Sequence, residues 1–298
     1  MTSPFARWLA PALAAFALIA CSSEPDKLPP DNPFRPGKSE RELRLEANEL
    51  YKLARRSLES ADYVTAISRY ETVQIKYPFS DFATQAQLET IYAKYRSYDP
   101  EGALSVADRF LKEHPRHPAI DYVHYLRGLI NYQRGESPFD WLADPAKQDV
   151  SAARRAFDDF SLLIQRYPTS PYAGDARLRM IYLRNRIAEH ELYVVRYYLR
   201  RGAWVAAAKR AEQIVSDYPG APATAEALRL LEQSYRALGQ GAQADDVAKL
   251  VAANPLPPHV DAAVPAIERQ EPPLPPPMSH EFLRKAKNLP SPPKAAGG

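Results

Sequence analysis

Cysteine is nearly absent from this 298-residue chain, and the single Cys21 excludes an internal disulfide framework. Glycine is scarce, with 11 residues, and no G-x-S-x-G, P-loop or G-x-G-x-x-G pattern is present. The chain therefore lacks the familiar turns on which hydrolases and nucleotide-binding enzymes depend. The formal net charge is only +3, whereas a nucleic-acid-binding domain is usually clearly basic. These shortages predict a protein that is not an enzyme, needs no cofactor and has no nucleic-acid partner.

The N-terminus has the pattern of an export signal that ends at a lipidation site. Arg7 precedes the apolar run Trp8–Ala20, which is too short to cross a bilayer as a helix. The run leads into LIAC at residues 18–21, which resembles the bacterial lipobox, where the cysteine is acylated and becomes the mature N-terminus. We expect a signal peptide over residues 1–20 and acylation at Cys21, since two or more acyl chains anchor a protein stably. An ordinary signal peptide with an incidental cysteine is the alternative.

Two serines, Ser22 and Ser23, follow the cysteine where an aspartate is associated with retention in the inner membrane. The expected location is therefore the periplasmic face of the outer membrane. Proline is concentrated at both ends of the chain. Residues 21–40 predict a lipidated, flexible tether. Residues 254–298 carry too little apolar surface to offset their chain entropy, and we predict a tail that is disordered on its own.

Between these ends, a pattern that finishes in proline recurs. Four prolines that each follow a Tyr or His mark the repeat: Pro78, Pro115, Pro168 and Pro219. Twelve positions before each stands an alanine: Ala66, Ala103, Ala156 and Ala207. Five positions before each stands an apolar residue: Val73, Phe110, Leu163 and Ile214. These offsets match the second helix of a tetratricopeptide (TPR) unit, in which the small residue lets two helices approach and the proline ends the helix.

The spacing of the prolines gives the number of units. The first interval is close to the ~34 residues of a standard unit, and the next two are longer. A loop at residues 134–149 accounts for the first excess, while the second either lengthens the first helix of unit four or splits it near Asn185. A weaker fifth unit covers Ala221–Ala253. The predicted fold is all-α, an α-solenoid of five TPR helix pairs over residues 41–253.

Three side-chain groups are candidates for chemistry or binding. The histidines His114, His117 and His124 have no Asp, Glu or Cys constellation near them in sequence, so we expect solvated turn histidines and no metal site. Tyrosines in first helices are candidates for an extended peptide-binding groove, with packing between helices as the alternative. The groove candidates are Tyr51, Tyr92, Tyr95, Tyr122 and Tyr125. A solvated helix face mostly explains a basic band in unit four, with one or two arginines available for an interface. The band consists of Arg184, Arg186, Arg196, Arg200, Arg201 and Arg210.

Several segments resemble the YfiO/ComL family of TPR lipoproteins, over about residues 40 to 253. They include YPF at 77–79, LRGL at 126–129, RYPTSPY at 166–172 and, most strongly, YYLRRGAWVAA at 197–207 followed by Arg210. The resemblance implies five TPRs behind a lipid anchor and membership of the BAM complex, which inserts β-barrel proteins into the outer membrane.

The family resemblance also implies partners for the two ends of the solenoid. It implies docking of the C-terminal repeats on the last POTRA domain of BamA, with Arg210, Arg201 and Arg200 as the candidate contacts. It implies reception of unfolded outer-membrane proteins by the N-terminal repeats, with the tyrosines above as the candidate groove. Other BAM lipoproteins are expected partners. A TPR lipoprotein adaptor for cell-wall hydrolases or proteases is the alternative function.

Overall fold

The computed structural model describes residues 38–135, 148–254 and 272–277. Within these ranges the chain forms ten α-helices and no strand. The helices are α1 (Glu40–Glu59), α2 (Tyr63–Lys76), α3 (Asp81–Arg96), α4 (Pro100–Glu113), α5 (Ile120–Arg134), α6 (Ser151–Arg166), α7 (Ala173–Arg200), α8 (Trp204–Asp217), α9 (Pro222–Ala237) and α10 (Gly241–Ala253). The predicted signal peptide, Cys21, nearly all of the tether and most of the loop at 134–149 lie outside the described residues.

The ten helices form five consecutive pairs, as the proline spacing predicts. Each helix packs against the next one along the chain, and the first helices also touch in three cases, α1 with α3, α3 with α5 and α7 with α9. The second helices α2, α4, α6 and α8 each end two residues before a repeat proline. None of the helices in the described ranges is long and apolar enough to span a bilayer.

The repeat positions form the core. The four alanines and the four apolar residues that the offsets single out are all fully buried, with 0% exposure. Gly128 of α5 shows how tightly the pairs fit, since a Cβ placed there would lie 2.3 Å from the ring of Phe160 on α6. Close approach of paired helices through small residues is therefore what holds each unit together.

The long fourth unit is explained by one helix. α7 continues without a break through Asn185, so the first helix is lengthened and is not split. It packs against α9 as well as its neighbours α6 and α8. The helix stops at Gly202, whose φ of +70° is a left-handed conformation that side chains with a Cβ disfavour.

The expectation of solvated turn histidines is wrong for two of the three residues. His124 is buried on α5 near Tyr167, and burial, assisted by Arg127 and Arg166, lowers its pKa to about 4. His117 packs edge-on against the ring of Phe110 at 5.0 Å, and burial lowers its pKa to about 4. His124 is covered because α5 lies in the middle of the solenoid, where nearly every face is buried, whereas His117, in the turn before α5, is partly covered by Phe110.

Candidate functional site

A buried carboxylate organises the N-terminal end of the solenoid. Glu89 of α3 is completely buried, and α1, α2 and α3 all contribute donors to it. Its Oε1 accepts hydrogen bonds from Tyr51 Oη at 2.7 Å, Arg55 Nη1 at 2.8 Å and Gln85 Nε2 at 2.8 Å. Its Oε2 accepts a short hydrogen bond from Tyr70 Oη. Because an unpaired buried charge is very costly, these four donors are what allow a carboxylate to remain here.

The charges of this cluster keep its donors protonated. Burial raises the pKa of Tyr51 and of Tyr70, and the neighbouring Glu89 carboxylate raises both further. For Arg55, burial works against the charge, but Glu89, Glu59 and Tyr51 together more than offset it, so the pKa of Arg55 is raised. All three side chains are therefore donors at neutral pH, held in fixed positions around one acceptor.

Six residues of the C-terminal tail, Pro272–Pro277, lie against this cluster. The carbonyl oxygen of Pro275 accepts from Arg55 Nη1 at 3.2 Å, and that of Pro276 accepts from Gln85 Nε2 at 2.9 Å. Further along, the carbonyl oxygen of Pro273 accepts from Tyr122 Oη at 2.8 Å. The donors come from α1, α3 and α5, the first helices of units one to three. We call the surface formed by Arg55, Gln85 and Tyr122 the donor groove.

Of the five tyrosines predicted for a groove, Tyr122 donates a hydrogen bond to this peptide segment, and Tyr51 is bonded to Glu89 behind it. Tyr125 stacks on Tyr172 with ring centroids 4.9 Å apart and donates to Asp175. Tyr92 accepts a hydrogen bond from Arg96 at 3.1 Å, and Tyr95 is partly buried in the core. These last three tyrosines take part in the packing of the core.

The predicted basic contacts lie at the other end of the solenoid. Arg210 of α8 donates from Nη1 to Glu191 Oε2 at 2.9 Å, and Arg154 of α6 donates from Nη2 to the other oxygen of Glu191 at 2.5 Å. The Arg210 side chain is 43% exposed and lines an open cleft of about 640 Å³ together with Tyr198 and residues of α8. Internal pairing thus fixes the direction of Arg210 while one edge of its guanidinium remains accessible.

The two other arginines are more exposed than Arg210. Arg200 is exposed at the last turn of α7, and Arg201 lies over the ring of Tyr197 at 5.3 Å. Elsewhere in the basic band, Arg196 forms a bidentate pair with Glu226 at 2.9 and 2.7 Å, so a solvated face does not describe it. Among the residues that the structure describes, no group of three His, Cys, Asp or Glu side chains is arranged to hold a metal ion.

Sequence reasoning missed Arg55, Gln85 and Glu89. The available signal is the Gln85–Glu89 pair, four residues apart on a helix whose other faces carry Ala, Leu, Ile and Tyr. Such spacing puts both side chains on one face. Such a pair is more often exposed to solvent, and it is buried here only because α1, α2, α4 and α5 pack around α3.

Comparison with known proteins identifies relatives over the whole solenoid. A family model described as YfiO, outer membrane lipoprotein, matches residues 44–250. The outer membrane protein assembly factor BamD of Neisseria meningitidis is 39% identical over 207 residues, covering 69% of this chain and 78% of that protein. BamD of Vibrio cholerae is 35% identical over 246 residues, covering 82% and 96%. BamD of Pasteurella multocida is 36% identical over 245 residues, covering 82% and 88%.

Proposed function

The chain belongs to the YfiO family of outer membrane lipoproteins, and on that basis we propose that it is a non-enzymatic scaffold for assembling β-barrel proteins at the outer membrane. In this role the first three units receive extended segments of unfolded barrel proteins. The last units dock on BamA, and other BAM lipoproteins complete the complex. Acylation at Cys21 holds the chain to the periplasmic face of the membrane.

The observation that carries this proposal is the donor groove. Three donors on successive first helices bond to carbonyl oxygens of one extended segment. Backbone carbonyls occur in every sequence, so a site that recognises them suits a scaffold that must accept many different unfolded chains. No side chain of the groove needs to react for this function.

Docking of the opposite end rests on Arg210, with Arg200 and Arg201 beside it. A guanidinium that is half exposed and held in place by Glu191 is preorganised to form a second, bidentate contact with a partner carboxylate. An exposed guanidinium of this kind suits an acidic patch on the BamA POTRA domain as the docking surface.

The experiment is an affinity purification of tagged protein from outer membranes in mild detergent. Wild type is compared with Arg210→Glu, and with Arg109→Glu on α4, an exposed arginine far from the cleft, as the charge-matched control. We expect the barrel protein BamA to co-purify with wild type and the control, and to be at least tenfold depleted with Arg210→Glu, the result of losing more than about 1.4 kcal/mol.

A second variant, Glu191→Gln, separates docking from internal structure. It removes the carboxylate that pairs with Arg210 and Arg154 but leaves the Arg210 guanidinium in place. BamA is far less depleted with Glu191→Gln than with Arg210→Glu if Arg210 is a docking residue, and is depleted to the same extent if Arg210 only stabilises the fourth unit. Absence of BamA from the wild-type sample, with cell-wall hydrolases in its place, would instead support the adaptor function.

A further inference from the structure

We propose that the proline-rich segment Pro272–Pro277 is an internal ligand of the donor groove, which an incoming extended chain must displace. This deepens the proposed function and rests on it, because it makes the groove a site whose access is regulated by the chain's own tail. Four observations support it: the chemistry of the hydrogen bonds, the periodicity of burial, the rigidity of the segment and the tether that connects it to the solenoid.

The hydrogen-bonding chemistry of the segment matches that of the groove. Proline has no backbone N–H, so five of the six residues in PPLPPP offer acceptors only. The groove presents donors in return, a guanidinium, a side-chain amide and a phenol, and each bonds to a different carbonyl of the segment. Glu89 is the positioning residue, since the same Arg55 and Gln85 nitrogens that contact the tail also bond to its carboxylate.

Burial along the segment repeats every third residue. Pro272 and Pro275 are buried, whereas Pro273, Leu274 and Pro277 are exposed. A polyproline II helix has three residues per turn, so positions three apart lie on the same face. The two buried prolines are therefore the face that the segment presents to the groove.

The segment is also rigid before it binds. Proline fixes its own φ and restricts the residue before it to extended conformations. An extended ligand of this kind loses little conformational entropy on binding, which is the reason that proline-rich segments serve as ligands of aromatic-lined grooves. Binding by only three hydrogen bonds and two buried rings is then possible even though each contact is weak.

Because the segment is covalently connected to the solenoid, it occupies the groove even if its intrinsic affinity is weak. Residues 255–271 join the end of α10 to the segment, a length that can span at most roughly 60 Å when extended. A covalent connection of this length gives an effective concentration on the order of 1 mM. For an intrinsic dissociation constant of about 0.1 mM, the tail lowers the apparent affinity of any competitor about tenfold.

The test measures binding of a fluorescein-labelled PPLPPP peptide to the full-length protein by fluorescence anisotropy. The tail variant Pro272→Asp with Pro275→Asp changes the two buried positions. The matched control, Leu274→Asp with Pro277→Asp, changes two exposed positions of the same segment. Both pairs lie outside the solenoid, and circular dichroism confirms that its helices are retained.

We expect the labelled peptide to bind the tail variant about tenfold more tightly than wild type or the control. Adding Tyr122→Phe to the tail variant removes one hydroxyl donor and weakens binding about fivefold. Equal affinity of the labelled peptide for wild type and the tail variant would overturn the proposal that the tail is an internal ligand. The same holds if the exposed-position control behaves like the tail variant.

A second labelled peptide separates this inference from the proposed function. It carries the C-terminal β-strand of an outer-membrane barrel protein. If it also binds the tail variant more tightly than wild type, tail and substrate share the groove. If the proline peptide shows the expected difference and the strand peptide does not bind, the internal ligand stands and substrate reception in this groove is wrong. If only the strand peptide binds, and binds all variants equally, substrate reception stands and the internal ligand is wrong.

Discussion

Arg55 and Glu89 form an ion pair across the first two units, with Arg55 Nη1 lying 2.8 Å from Glu89 Oε1. The glutamate is fully buried and the arginine nearly so, at 15% exposure of its side chain. The same nitrogen of Arg55 also lies 3.2 Å from the carbonyl oxygen of Pro275. The pair therefore belongs both to the core of the solenoid and to the groove. A change in this pair affects both the stability of the fold and the binding of a peptide segment in the groove.

Replacing Glu89 by Gln tests the structural part of this role. Glutamine keeps the size of the side chain but leaves the Arg55 guanidinium with only the exposed Glu59 as its counter-charge, so we expect a loss of about 3 kcal/mol in the free energy of unfolding. Tyr70→Phe removes only one of the four donors and should cost about 1 kcal/mol. Urea unfolding followed by circular dichroism at pH 7 measures both. A larger cost for Tyr70→Phe than for Glu89→Gln would contradict the organising role of the carboxylate.

The packing of α5 against α6 predicts opposite effects at two glycines. Gly128→Ala places a methyl group against the fully buried ring of Phe160, 2.3 Å away, and should destabilise the protein by about 1–3 kcal/mol. Gly174→Ala in the first turn of α7 meets no atom within 4 Å and should stabilise it, by up to ~1 kcal/mol, through helix propensity. Thermal unfolding of the two variants gives the signs directly. A tolerated Gly128→Ala would show that this contact is looser than the structure has it.

Buried histidines predict a loss of stability in mild acid. The pKa of His124 falls from 6.5 to about 4 on folding because of burial. Above pH 6.5 the residue is neutral in both states. As the pH drops from 6.5 towards 4, the unfolded chain gains a proton that the folded chain does not, so stability falls by up to ~3 kcal/mol. His117 acts in the same direction.

The variant His124→Phe isolates this contribution. Its ring still fills the space beside Tyr167 but does not titrate, so the difference in unfolding free energy between pH 7 and pH 4.5 should shrink by roughly half. Urea unfolding of wild type and variant at the two pH values is the measurement. An unchanged difference would mean that His124 is protonated in the folded protein.

The repeat was readable from the sequence because its signals recur at fixed offsets. Ala66 and its three equivalents, together with the prolines that follow, define the second helices without any knowledge of the tertiary structure. Whether α7 is continuous could not be predicted from the sequence, since Asn185 is compatible with a continuous helix and with a break. One helix results because α7 also packs against α9, beyond its immediate neighbours.

The groove was only partly readable, for a different reason. Tyr122 was predicted from its place on a first helix. Arg55, Gln85 and Pro275 are far apart in sequence, and no periodicity connects them. Their contact depends on the burial of Glu89, and a glutamate in a helix is ordinarily a surface residue. Long-range polar networks of this kind become visible only when the helices are placed beside one another.

Assembly of barrel proteins in cells that lack this chain tests the central claim most directly. The gene is placed under an inducible promoter, the inducer is withdrawn, and folded barrel proteins are quantified in isolated outer membranes by their heat-modifiable mobility in gels. The account predicts that folded barrel proteins fall as the chain is depleted, and that re-expression of the wild-type chain restores them. Undiminished amounts of folded barrel proteins after depletion would contradict it.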